Sequence, residues 1–168
     1  MPSRDVLKRV ARDKREGKAP TTQAGEFIRE EIHHIREGKH GARSPQQAIA
    51  IGLSKARRAG VELKPPGKEQ STSTRRKAAR DYARGHGAPP RRRTTGRRRA
   101  ATSHALERES QTSASPRALA QQAHSAASRR SPSSRATSAR KAVRTKGPER
   151  RALAARKAAR TRATNVAR

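Results

Sequence analysis

Residues 25–60 read GEFIREEIHHIREGKHGARSPQQAIAIGLSKARRAG, two helical periods on either side of a glycine-bounded loop. In the first, Ala24, Ile28, Ile32 and Ile35 recur at the three- and four-residue spacing of one helix face, flanked by Phe27 and His34. Glu26, Glu30 and Glu37 fall together on the far side at about 100° per residue. This helix is predicted from near Thr22 to about Glu37, with Gly38 as its left-handed stop. It has one apolar and one acidic face. In the second period, Ser44-Pro45-Gln46-Gln47 supplies an N-cap, a proline at the first helical position and a capping-box Gln. A helix is predicted over about 45–59, ending at Gly60, with Ala48, Ile49, Gly52, Leu53, Ala56 and Ala59 on one face. Gly52 lets a neighbouring backbone come close. Ile51 lies about 160° from that face, beside Ser54 and Arg58, as a second contact surface or, more plainly, an ordinary exposed isoleucine.

Upstream, Ser3 caps a first helix predicted over about residues 4–15, with Val6, Leu7 and Val10 at helical spacing and Gly17 beyond its end. GKAPT at 17–21 reads as a linker. Downstream, Val61, Leu63, Pro65 and Pro66 form an extended exit, where the prolines keep the helix from resuming. The large apolar residues through Leu63 make a core that is marginal for a unit of about 60 residues. A second copy of the chain, or docking on nucleic acid, is expected to complete it.

Beyond Gly67 the composition changes. Residues 68–168 hold 28 Lys/Arg against 5 Asp/Glu, a net of +23 out of +30 for the 168-residue chain, and 23 of the 28 cations are Arg. Arg carries a planar fork that meets phosphate oxygens bidentately, so a polyanion is the natural partner. After Lys64 the only large apolar residues are Tyr82, Leu106, Leu119, Val143, Leu153 and Val166, too few to offset about 1–2 kcal/mol of ordering entropy per residue. The segment is therefore expected to be disordered when free. Local helix signals recur in it: Thr74 before RRKAARDYAR, Ser115-Pro116 before RALAQQAHSAAS and Gly147-Pro148 before ERRALAARKAARTRA. The expected architecture is mostly α, a two- to three-helix unit built on a helical hairpin over 1–67, followed by a basic tail over 68–168 with transient helices.

The stretch 25–60, with the lead MPSRDVLKRVARDKREGKAPTTQA, resembles a family of small bacterial proteins that share the GKHGARS loop and the QAIAIGLSKARRAG helix. The resemblance covers about the first 65 residues. It implies a bacterial source and a real domain, and brings no activity with it. The tail is similar in composition to linker-histone tails and to the basic arms of bacterial histone-like proteins, but favours Arg over Lys.

The candidate nucleic-acid contacts are Lys55, Arg57 and Arg58 on the third helix, and Arg75, Arg76, Lys77, Arg91, Arg92, Arg93, Arg97, Arg98, Arg99, Arg150, Arg151, Arg156, Lys157 and Arg160 in the tail. Arg91–Arg93 and Arg97–Arg99 sit in a Pro/Gly/Thr-rich stretch loosely similar to AT-hooks but lacking the Gly-Arg-Pro core, which favours plain phosphate contact. A helix-turn-helix reading fails on the length of the loop from Gly38 to Ser44 and on the acidic stripe. His33, His34 and His40, with Glu30, Glu31 and Glu37 nearby, suggest no metal site: adjacent helical histidines point about 100° apart and His40 lies past the helix end. The chain has no cysteine, and it shows no nucleophile–base constellation or phosphate-binding glycine loop. The expected protein is non-enzymatic, without cofactor or membrane partner, in the cytoplasm on the nucleoid, binding DNA with little regard to sequence. RNA or ribosome association is the rival within nucleic-acid binding. A protein-interaction or homo-oligomerising module, tethered by its tail with the acidic stripe and Ile51 facing a partner, is the rival from another class.

Overall fold

The computed structural model describes residues 2–89 and 96–166. These form seven α-helices, α1 (Arg4–Arg15), α2 (Pro20–Arg36), α3 (Pro45–Arg58), α4 (Thr72–Gly85), α5 (Gly96–Glu107), α6 (Pro116–Ser128) and α7 (Pro132–Val166), with a 3-10 turn at Thr112–Ala114 and no strand among the described residues. Contacts divide the chain into two units, Met1–Gln122 and Ala123–Arg168.

The first three helices begin and end where local chemistry directs. Ser3 Oγ accepts from Val6 N–H at the start of α1, and Ser44 Oγ from Gln47 N–H at the start of α3. The Gln47 side chain reaches back one residue further than a capping box requires and accepts from Arg43 N–H at 2.9 Å. α2 starts two residues earlier than expected, because Pro20 occupies its first turn with φ already set. Gly17, Gly38 and Gly60 end α1, α2 and α3 with φ of 65°, 75° and 83°. The next N–H in each case turns back into the helix: Lys18 to Asp13, Lys39 to His34 and Val61 to Ala56.

Two apolar clusters hold these helices together. Val6, Ala24, Phe27, Ala56 and Val61 are buried in the first, with Val10, Leu53 and Leu63 packed against them. Phe27 is fully buried rather than flanking the stripe, and a side chain of that size contributes about 1.5–3 kcal/mol. The second cluster joins Ile35, Ala42, Ala48 and Ala114, with Ile32 against it. Between them α2 and α3 come into near-backbone contact at Gly52, where an added Cβ would lie 2.8 Å from Ile28 Cα.

The described residues between 68 and 166 are not a disordered tail. They are helical over most of their length, and two of their segments complete the core that was expected to need a second molecule. α4 covers the second face of α3: Ser54 Oγ donates to Asp81 Oδ2 at 2.6 Å, Arg58 Nε stands 3.8 Å from Asp81 Oδ1, and Ala78 is buried. Ile51, on the same side of α3 as Ser54 and Arg58, is half-buried. Further along, Gly41 N–H donates to Leu106 carbonyl at 2.8 Å, Ala42 N–H to Ser110 carbonyl at 3.1 Å and Arg36 Nε to Ala114 carbonyl at 2.8 Å. Counting large apolar residues misses both segments, because they bury alanine and pair polar groups instead.

α7 has a different basis. Among its described side chains none is buried, so its helical state rests on Ala and Arg, two strong helix formers, and on a cap in which Ser131 Oγ accepts from Ser134 N–H. It breaks at Gly147 (φ 67°, ψ 169°), and Pro148 opens the following segment. α6 likewise starts at Pro116, with Ser115 Oγ accepting from Ala118 N–H.

Candidate nucleic-acid interface

α4 has two unlike faces. With Ala78 turned inward, the helical angles place Asp81, Tyr82 and Gly85 toward the fold, and Arg76, Lys77, Arg80 and Arg84 on the outer half. The inner half is anchored. Tyr82 Oη donates to Glu62 Oε2 at 2.6 Å, and the His86 ring stacks on Tyr82 with centroids 4.0 Å apart. His86 Nε2 stands 2.8 Å from Glu62 Oε1 and Nδ1 2.7 Å from Tyr82 carbonyl, so both ring nitrogens face acceptors. The Tyr82 carbonyl first, and then Glu62, raise the His86 pKa above its ordinary 6.5.

The outer half is bare. Arg76, Lys77, Arg80 and Arg84 are exposed and, among the described residues, make no ion pair or side-chain hydrogen bond. They span about 12 Å along the axis at 1.5 Å per residue, comparable with the ~12 Å width of the DNA major groove. Lys77, Arg80 and Arg84 also line a shallow cleft that reaches Ala88 and Pro89. Of the candidate contacts, Arg76 and Lys77 belong to this row, while Arg75 is half-buried. Arg80 and Arg84 were missed; their spacing from Arg76 by four and eight residues is the signal that finds them.

The three α3 candidates each meet an acceptor within the chain. Lys55 Nζ binds Glu31 Oε2, and its side chain is only 18 % exposed. Arg57 is 8 % exposed and donates from Nε to Leu63 carbonyl at 3.1 Å, tying the extended exit to α3. Arg58 is exposed but faces Asp81 and donates to Ser54 carbonyl at 3.2 Å. Each meets an acceptor that helical periodicity within α3 does not reveal.

The acidic side of α2 is largely internal as well. Glu26 is buried and accepts from Arg9 Nε at 2.7 Å and from Arg29 Nη1 at 3.0 Å. Glu30 is buried and accepts from Ser3 N–H at 2.7 Å, which carries α1 onto α2. Glu37 stays outside with His33 and Lys39. A partner surface built on this stripe and Ile51 therefore loses most of its residues to contacts within the chain.

In the remaining candidates, Arg97 and Arg98 are exposed on α5, whereas Arg91, Arg92 and Arg93 and the side chain of Arg99 lie outside the described residues. Arg150, Arg156, Lys157 and Arg160 share one face of α7 after its break, and Arg151 points to the opposite side at 100° per residue. All five are exposed. No helix among the described residues is long and apolar enough to cross a membrane.

One cluster was not expected. Gly38 reverses the chain after α2 and brings His40 back alongside Glu31 and His34, one turn apart on that helix. One ligand atom from each of the three lies within 4.8 Å of the others. His33, about 100° round the helix from His34, pairs with Glu37 on the surface. The position of His40 depends on the turn, which helical spacing alone does not describe. No family model, no curated protein and no solved structure matches this chain. Its function rests on these residues.

Proposed function

We propose that the protein is a non-enzymatic, histone-like DNA-binding protein of the bacterial nucleoid that coats duplex DNA through phosphate contacts, with little dependence on base sequence. The supporting observation is the row Arg76, Lys77, Arg80 and Arg84, four exposed cations without acidic partners on a helix fixed to the core from its other side. A fixed row needs less ordering on binding than a flexible arm, so more of the counterion-release free energy is retained. α7 carries exposed Arg and Lys residues of its own. Contacts of this kind to phosphate oxygens fix position and carry no base information, which is the reason for expecting sequence independence.

The test is fluorescence anisotropy of a labelled random duplex across a salt series. For about ten phosphate contacts the slope of log K against log salt is near −9, and replacing Arg76, Lys77, Arg80 and Arg84 together by Gln reduces it by roughly 3 to 4. An unchanged slope in that variant removes α4 from the interface. Tighter binding to structured RNA than to duplex DNA at matched salt transfers the reading to the RNA rival.

A further inference from the structure

We infer that Glu31, His34 and His40 form a binding site for a divalent transition metal of the zinc class. The donor set is two imidazoles and one carboxylate, a borderline-soft combination that suits zinc, cobalt or nickel over magnesium or calcium. Three protein donors leave one tetrahedral position for water. Glu31 is fully buried, and its two oxygens are differently engaged: Oε2 holds Lys55, and Oε1 stands 3.2 Å from His40 Nε2.

Two further observations single out this cluster. His40 Nδ1 stands 3.0 Å from Gly41 carbonyl, the outer hydrogen bond that fixes a ligating histidine with its Nε2 lone pair directed inward. Nε2 faces Glu31 Oε1 at 3.2 Å, a contact that either a proton on the ring or a shared metal cation satisfies. His34 is half-buried, its ring meets the His40 ring edge-on at 6.3 Å, and among the described residues its nitrogens make no hydrogen bond. Bound metal would join the end of α2 to the returning loop, beside the cluster that seats Ala42 and Ala114.

The experiment is a titration of the full-length, tag-free chain with cobalt(II), followed by visible ligand-field absorption. The expected result is one saturable site with a dissociation constant below about 10 μM, competed by zinc. Glu31→Gln, His34→Gln and His40→Gln should each weaken it at least tenfold, and His33→Gln should leave it unchanged. Lys55→Gln removes the cation that competes for Glu31 and should tighten binding several-fold, a gain that a damaged fold would not produce. In the unmodified chain, zinc should raise the melting temperature and a chelator should reverse the rise. Absence of saturable binding in the unmodified chain overturns the inference. So does equal weakening by His33→Gln and His34→Gln, or failure of Lys55→Gln to bind more tightly.

Discussion

At Gly52 a single hydrogen in place of a methyl group sets the separation of two helices. An added Cβ would lie 2.8 Å from Ile28 Cα, a backbone atom that cannot move aside as a side chain does. Gly52→Ala gains up to about 1 kcal/mol of helix propensity and should still lose about 1–2 kcal/mol of stability overall, read from the denaturation midpoint of the full chain. The Glu62–Tyr82–His86 contact supplies a pH signature at the same scale. Glu62 is held below its ordinary 4.5 by the Tyr82 hydroxyl and then by His86, so its contribution is complete above that value and fades as pH falls through the depressed pKa. His86 is raised, so its contribution is complete below 6.5 and is lost as pH rises through the folded value. Both act fully only between about pH 4.5 and 6.5. An NMR titration of the His86 ring should show its pKa falling on Glu62→Gln; an unmoved midpoint means the ring is not paired in solution.

Among the elements, α4 and α7 are helical for different reasons and should respond differently to change. α4 depends on what it touches, since Ala78, Asp81 and Tyr82 all meet the earlier fold. A chain ending at Gly67 exposes the side of α3 that bears Ile51 and Ser54. It should be less stable than one ending at Pro89, by about 2–4 kcal/mol from the lost hydrogen bonds and burial, and so melt at a lower temperature. Equal melting of the two would show that α4 adds nothing to the fold. α7 depends on local propensity and is interrupted at Gly147, whose φ and ψ lie in a region open essentially to Gly alone. Replacing Gly147 and Pro148 together by Ala removes residues that cost about 1 and 3 kcal/mol in a helix interior, so helical circular dichroism should increase. The helix starts in this region were legible, because Pro116 and Pro148 follow Ser115 and Gly147. The continuous helix before Gly147 was not, since its alanines and arginines count for nothing on a hydrophobic scale.

For the whole molecule, the net charge of +30 governs behaviour at low salt, and the fold selects which cations face outward. Lys55 and Arg57 are held inside, whereas the outer row of α4 and the length of α7 are open to solvent. Lys55→Gln should therefore leave DNA affinity and salt slope nearly unchanged, while Arg80→Gln should reduce the slope by about 0.9, both read by the same anisotropy series. Parallel losses in the two variants would mean that net charge, rather than its placement, controls binding.

The caps, glycine stops and apolar periods of α1–α3, and the excess of Arg beyond Gly67, are properties of neighbouring residues and were present in the chain order itself. Phe27 at the centre of the core, Arg57 on the carbonyl of Leu63, Asp81 beneath Ser54 and His40 beside Glu31 were decided only by tertiary structure. Each joins groups whose meeting depends on how a turn or a packed helix redirects the chain, and helical periodicity carries no information about a partner outside its own helix.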